Sequence, residues 1–359
     1  MLNNQPFGSR GYDWMVVLLS FWLVAGMVMD GWAHNHVPEL ESFFTPWHAV
    51  FYTGFLAFAG FLAATLVRNH AKGYPWRRAM PPAYELSVLG VLIFIAGGSG
   101  DMIWHEIFGV EAGVEALLSP THLMLALGGS LMVTGPFRVC WRQLSHQAPL
   151  ILKWVDLLPV LLSLTFLLSI WTFMTQFGHP LVDTWAASAV RPRTQHVPML
   201  RQSLGIMSIL LQAGLLMGLV LLAVLRWILP LGSLTLVFTL NATLMSFMHD
   251  QYRFIPAAAV AGLAADLLLC WLRPSVVRSG AFRLFAFVVP AIYYTLYFIV
   301  IMVTQGIDWS VHLWTGSIVL AGLVGLLLSY LVISPAPNTL RPVPPEQLVT
   351  TRDEELLHS

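Results

Sequence analysis

The chain has 359 residues, of which 57% are hydrophobic and only 10% charged, with 18 basic and 18 acidic side chains. Soluble domains carry about a quarter charged residues, and a soluble core does not absorb repeated apolar runs of about 20 residues, the length that crosses a bilayer. A soluble fold is thereby excluded, and zero net charge argues against a nucleic-acid partner or a polybasic lipid-binding surface.

The first apolar run, 13–30, has no small-residue cleavage site and leads into Asp30 and a polar loop, so it reads as a retained helix rather than a signal peptide. Nine more runs follow at 48–67, 85–104, 121–140, 154–176, 203–225, 229–248, 255–272, 284–304 and 312–333. Only Arg226, Trp227 and Pro230 mark the break between the sixth and seventh. The predicted fold is all-α: a polytopic bundle of about ten transmembrane helices over 1–333. A Pro-rich tail, 334–359, ends in Asp353-Glu354-Glu355 and is predicted to be disordered. Cys140 and Cys270 form neither a disulfide framework nor a C-x-x-C site.

Basic residues set the orientation. With the N-terminus cytoplasmic, the inside segments hold 14 of the 18 lysines and arginines, leaving Arg191, Arg193, Arg201 and Arg253 outside. Ten helices then place both termini in the cytoplasm. Of the 12 histidines, His70, His146 and His358 fall inside. The other nine, His34, His36, His48, His105, His122, His179, His196, His249 and His312, fall outside, joined by Asp30, Asp101, Asp250 and Asp308. Interfacial preference alone would not choose one side. His179 and His196, in a long loop, read as wet interfacial residues.

Six of these residues share a spacing. Asp30-x3-His34 is followed by Thr45-Pro46-Trp47-His48, and Asp101-x3-His105 by Ser119-Pro120-Thr121-His122. A four-residue offset puts Asp and His one turn apart on one helix face. Ser or Thr before proline starts the next helix as cap and first turn, so the second histidine lies in that first turn. Each hairpin can therefore aim one carboxylate and two imidazoles at a common volume. Weaker echoes are Asp308-x3-His312, and His249-Asp250 followed by Ile255-Pro256-Ala257-Ala258, where alanine replaces the ligand histidine. His36 and Glu106 are additional ligand candidates, with Glu106 also a candidate proton relay. Imidazole with carboxylate suits copper, zinc or iron. Met102, Met124, Met199 and Met248 are candidate soft contacts, and Trp47 and Trp104 candidate shields of the metal volume. Asp266 and Asn241, inside apolar runs, suit either ion movement or hydrogen-bonded packing. The run Gly97-Gly98-Ser99-Gly100 lacks the lysine and preceding strand of a phosphate loop and reads as a close helix-packing site.

The strings Asp101-Met102-Ile103-Trp104-His105 with Ser119-Pro120-Thr121-His122, and Asp30, His34 with Phe44-Thr45-Pro46-Trp47-His48-Ala49-Val50-Phe51-Tyr52, resemble a copper-binding membrane subunit of the copper membrane monooxygenases, the particulate methane and ammonia monooxygenase family. The resemblance covers about the first 140 residues. It implies copper-ligand status for Asp30, His34 and His48 and for Asp101, His105 and His122. Asp101 stands where the family has asparagine, and this chain has more helices. The expected protein is a copper-binding membrane protein acting on a small apolar substrate with O2, alone, as a homo-oligomer or with further membrane subunits. Its expected place is a bacterial plasma membrane, with the metal sites extracytoplasmic. Copper transport or delivery, and zinc-dependent hydrolysis by metal-activated water, are the competing readings.

Overall fold

The computed structural model describes residues 8–37, 45–109, 113–143, 152–188 and 199–333. The tail beyond 333, His146, His196, and the Phe44 and Val197-Pro198 parts of the outer segments lie outside the described residues.

The described chain is helical: α1 (Arg10–His36), α2 (Pro46–Ala71), α3 (Glu85–Phe108), α4 (Val114–Leu118), α5 (Pro120–Val133), α6 (Gly135–Gln143), α7 (Trp154–Met174), α8 (Met199–Arg226), α9 (Ser233–Met248), α10 (Phe254–Leu272), α11 (Ser279–Thr304) and α12 (Val311–Val332). Among the described residues no strand forms beyond one isolated bridge, Ala187 to Ile307. Apolar runs with no water to hydrogen-bond must satisfy their backbone internally, and the helix does so.

Each predicted run falls on a helix, and eight helices (α1, α2, α3, α7, α8, α10, α11 and α12) are long and apolar enough to cross a membrane. Two runs depart from the expectation. The run 121–140 breaks into α5 and α6, bent by 48°. Pro136 supplies no N–H there, and the Thr134 hydroxyl donates back to the Ser130 carbonyl at 2.6 Å. The run 229–248 starts late, because Pro230 and left-handed Gly232 (φ 95°) hold the chain out of helix until Ser233. The 16 residues of α9 are about 24 Å long at 1.5 Å per residue, short of a hydrocarbon core of about 30 Å.

Asp266 explains how α9 begins inside the bundle. From α10 its carboxylate accepts the Gly232, Leu234 and Thr235 N–H groups, each at 3.0 Å, and the Thr235 hydroxyl at 2.7 Å. It is a helix cap supplied by a neighbouring helix, satisfying donors that would otherwise be orphaned. Asn241 likewise donates to the Ser169 and Thr172 hydroxyls of α7. Of the two roles the sequence leaves open for these residues, hydrogen-bonded packing accounts for both.

Neighbouring helices pair as hairpins, α1 with α2, α3 with α5, α9 with α10 and α11 with α12, and α7 packs against α1, α5, α8 and α9. Glycines set the approach in the first two pairs. A β-carbon at Gly26 would lie 2.8 Å from Phe51 Cα, and one at Gly54 3.1 Å from Leu23 N. In the second pair, a β-carbon at Gly97 would lie 3.1 Å from Leu125 N and one at Gly128 2.8 Å from Phe94 N. Gly26 and Gly97 each stand four residues before their aspartate, and Gly54 and Gly128 each six after their histidine. The partners correspond as well: Leu23 and Phe94, then Phe51 and Leu125. The two hairpins therefore pack in one register, and the repeat reads G-x3-D-x3-H, then [ST]-P-x-H-x5-G.

Candidate metal centre

The first hairpin assembles Asp30, His34 and His48. Asp30 and His34 are one turn apart near the end of α1. Thr45 caps α2 by accepting the His48 N–H at 3.1 Å, with Pro46 in the first turn, so the His48 ring leaves α2 beside Asp30. Asp30 Oδ2 lies 3.3 Å from His48 Nε2 and 3.8 Å from His34 Nε2. These separations are long for an N–H···O bond, which runs to about 3.2 Å. Two ligands held tetrahedrally at about 2.0–2.1 Å from one ion stand about 3.3–3.4 Å apart. The other carboxylate oxygen, Asp30 Oδ1, is buried with no hydrogen-bond partner among the described residues. An orphaned buried carboxylate oxygen is costly, and a cation is the group that relieves it.

The second hairpin repeats the arrangement with Asp101, His105 and His122. Asp101 Oδ2 lies 3.6 Å from His105 Nε2, and Oδ1 3.5 Å from His122 Nδ1. Ser119 caps α5 at the His122 N–H, with Pro120 behind it. Supporting groups hold this set in place. The Thr121 hydroxyl donates to Asp101 Oδ1 at 3.0 Å, and His105 Nδ1 donates to the Gly109 carbonyl at 3.3 Å, leaving Nε2 to face the carboxylate. Such partners orient metal ligands. The Ser119 hydroxyl also lies 2.7 Å from His122 Nδ1. Asp101 is only 2% exposed. Within each set the ligand atoms all lie within 4.8 Å of one another, and among the described residues these are the two His/Cys/Asp/Glu groups that could hold an ion. The donor chemistry and spacing of both fit a divalent ion bound by imidazole and carboxylate.

Both triads line one cavity of about 670 Å³ between α1, α2, α3, α5 and α7. His34 is within electrostatic reach of Asp101 and His105, and Tyr52 of both aspartates. The ligand spacing does not single out Tyr52, although it stands one turn beyond His48 on the same face of α2. It packs on Gly98, where a β-carbon would come within 3.1 Å of its ring. Asn35, Gln176, Asp183 and His249 line the same cavity. Tertiary packing brings Gln176 and Asp183 there, and no local spacing announces them.

The remaining candidates lie elsewhere. His36 leaves the triad and pairs with Asp250, Nε2 to Oδ2 at 2.8 Å, while stacking on Trp32; Asp250 also accepts the Tyr252 hydroxyl. His249 reaches the cavity, where its Nε2 lies 3.2 Å from Gln176 Oε1 and 3.5 Å from Asn35 Nδ2. Asp308 and His312 do not share a helix turn, because Ser310 caps α12 between them; His312 is exposed, and neither lines the cavity. Glu106 is exposed and away from the cavity lining. Met102, Met124 and Met199 are exposed and Met248 is in the core; the methionines that line the cavity are Met27 and Met174. Trp47 packs on Trp32 and Trp104 on Phe108, and neither lines the cavity.

His179 departs from its expected wet position. It is 4% exposed, in the loop after α7, and its Nδ1 accepts the Leu181 N–H at 3.1 Å. Burial, with nearby His249 adding a little, pulls its pKa down to about 3 from 6.5. The neutral ring therefore contributes stability in full above about pH 6.5, and that contribution declines as pH falls towards 3, because the unfolded chain binds the proton first. The expected result is a loss of about 2 kcal/mol between pH 7.5 and 5 from this group. His179→Gln, which keeps an acceptor for Leu181, should flatten the thermal midpoint over that range; an unchanged slope contradicts the assignment.

Among the described residues, fold and site together define a helical chain with eight membrane-length helices and two Asp/His/His groups facing one cavity. Comparisons with protein families, with characterised proteins and with solved structures found no match.

Proposed function

We propose that this chain is a multi-pass membrane metalloprotein that binds copper at both triads and takes part in oxidising a small apolar substrate with O2. The observation that carries the reading is the convergence of both triads on one cavity. Asp30, His34 and His48 would hold one ion, and Asp101, His105 and His122 the other. Copper bound there would supply one-electron redox chemistry towards O2. The chain's own part is to balance charge with two carboxylates, to orient Asp101 through Thr121 and His105 through Gly109, and to offer an apolar floor beside the ions. The motif resemblance to the copper membrane monooxygenases supports copper over zinc or iron. The distribution of lysine and arginine supports a plasma-membrane orientation, bacterial by the resemblance, with the sites extracytoplasmic. Further membrane subunits, or a second copy, would complete the oxidation system.

Transport is the weaker reading, since among the described residues no third Asp/His group continues a path across the bundle. Metal identity separates oxidation from zinc hydrolysis. Protein purified without chelators and reloaded with copper is expected to give a type 2 electron paramagnetic resonance spectrum with nitrogen hyperfine splitting. Retention of zinc against excess copper, with no such spectrum, would overturn the copper reading.

A further inference from the structure

The cavity extends well past the ligands. Below the triads it is walled by Leu23 of α1, Phe94 of α3, Ala126 and Gly129 of α5, and Ile170 of α7. Leu23 and Phe94 each stand seven residues below their aspartate, and Gly129 seven beyond His122. Seven residues of helix descend about 10 Å. The floor is therefore a deep apolar slot with the two metal sets at its top. A gas-sized molecule needs neither the depth nor the volume, which lies within the range of about 300–1,000 Å³ seen for sites that enclose substantial ligands.

Charge narrows the occupant. The lining carries three carboxylates, Asp30, Asp101 and Asp183, and among the described residues no lysine or arginine. With an ion in each triad the head region is close to neutral overall, and beyond the ions no basic side chain is there to pair with a carboxylate or phosphate head. A neutral head finds hydrogen-bond partners in Asn35, Gln176 and His249 near the ligands.

Resting on the reading of the triads as the reacting end, we infer that the floor is a tail subsite for a linear, uncharged alkyl chain, that of a medium-chain primary alcohol or alkane. At about 1.2 Å of advance per bond in an extended chain, a slot of this depth takes about eight to ten carbons. Gly129 sets its length. A β-carbon there would lie 3.6 Å from Ile170 Cδ1, so methyl fits while a larger side chain must enter the slot.

The test is photolabelling of the full chain in lipid nanodiscs with 1-decanol carrying a terminal diazirine. Labelling is expected on the α5 and α7 segments lining the slot. Excess 1-decanol should compete for it, but ethanol and decanoate should not. Gly129→Leu and, independently, Ala126→Phe should lower it by at least about tenfold while metal content stays that of the wild type. Gly218→Leu, placed where nothing lies within 4 Å, should leave it unchanged. Label scattered over lipid-facing helices, competition by decanoate, or labelling indifferent to both plugging variants overturns the subsite. Competed labelling in protein that binds no metal would instead overturn the metal reading and leave the slot standing.

Discussion

Replacing His48 and His122 together by alanine is expected to lower metal affinity by more than about 100-fold, since losing even an outer partner of a metal ligand costs about 10–100-fold. Each triad holds three donors, so removing one leaves Asp30 with His34, or Asp101 with His105. Two donors on one turn of a single helix no longer close around an ion from the facing helix. The single replacements separate the sites: His48→Ala should retain the ion at Asp101, and His122→Ala the ion at Asp30, each with about half the wild-type content. Helicity should be unchanged, because the caps are made by Thr45 and Ser119 and not by the rings. Unaltered metal content in the double variant would show that the ions bind elsewhere.

Gly128→Val is expected to lower stability sharply. A β-carbon at Gly128 would lie 2.7 Å from the Gly90 carbonyl oxygen and 2.8 Å from Phe94 N, and both are backbone atoms of α3. Neither can turn aside as a side chain would, so α3 and α5 must move apart. The cost is about 3 kcal/mol, the upper end for overpacking. Because the same two helices carry Asp101, His105 and His122, the ion of the second triad should be lost while the first remains. Gly60→Val on α2, where nothing lies within 4 Å, is the control and should change neither melting nor metal content. Equal melting of the two variants would contradict the packing described for α3 and α5.

The two triads were legible in the sequence because the rules that build them are local. Asp30 and His34, or Asp101 and His105, meet by helix periodicity alone, and Thr45-Pro46 or Ser119-Pro120 announce the cap that places the next histidine. The glycines Gly26, Gly54, Gly97 and Gly128 carry the same repeat and could have been read from their spacing. Spacing failed where helix continuity failed: Asp308 and His312 keep the four-residue interval, but the cap at Ser310 falls between them. It also missed what tertiary packing alone decides. His36 is drawn to Asp250 across the bundle, Asp266 caps a helix more than thirty positions before it, and Met27 and Met174 reach the cavity in place of the four methionines expected near it. That both triads open into one volume depends on how α1 and α2 meet α3 and α5, which no single hairpin encodes.

The most direct test is the number of metal ions per chain in protein purified without chelators and reloaded with excess copper before gel filtration. Two complete triads predict two copper ions per chain, falling to one in either single histidine variant and to none in the double variant. No bound metal in folded wild-type protein after that loading would contradict the account at its centre.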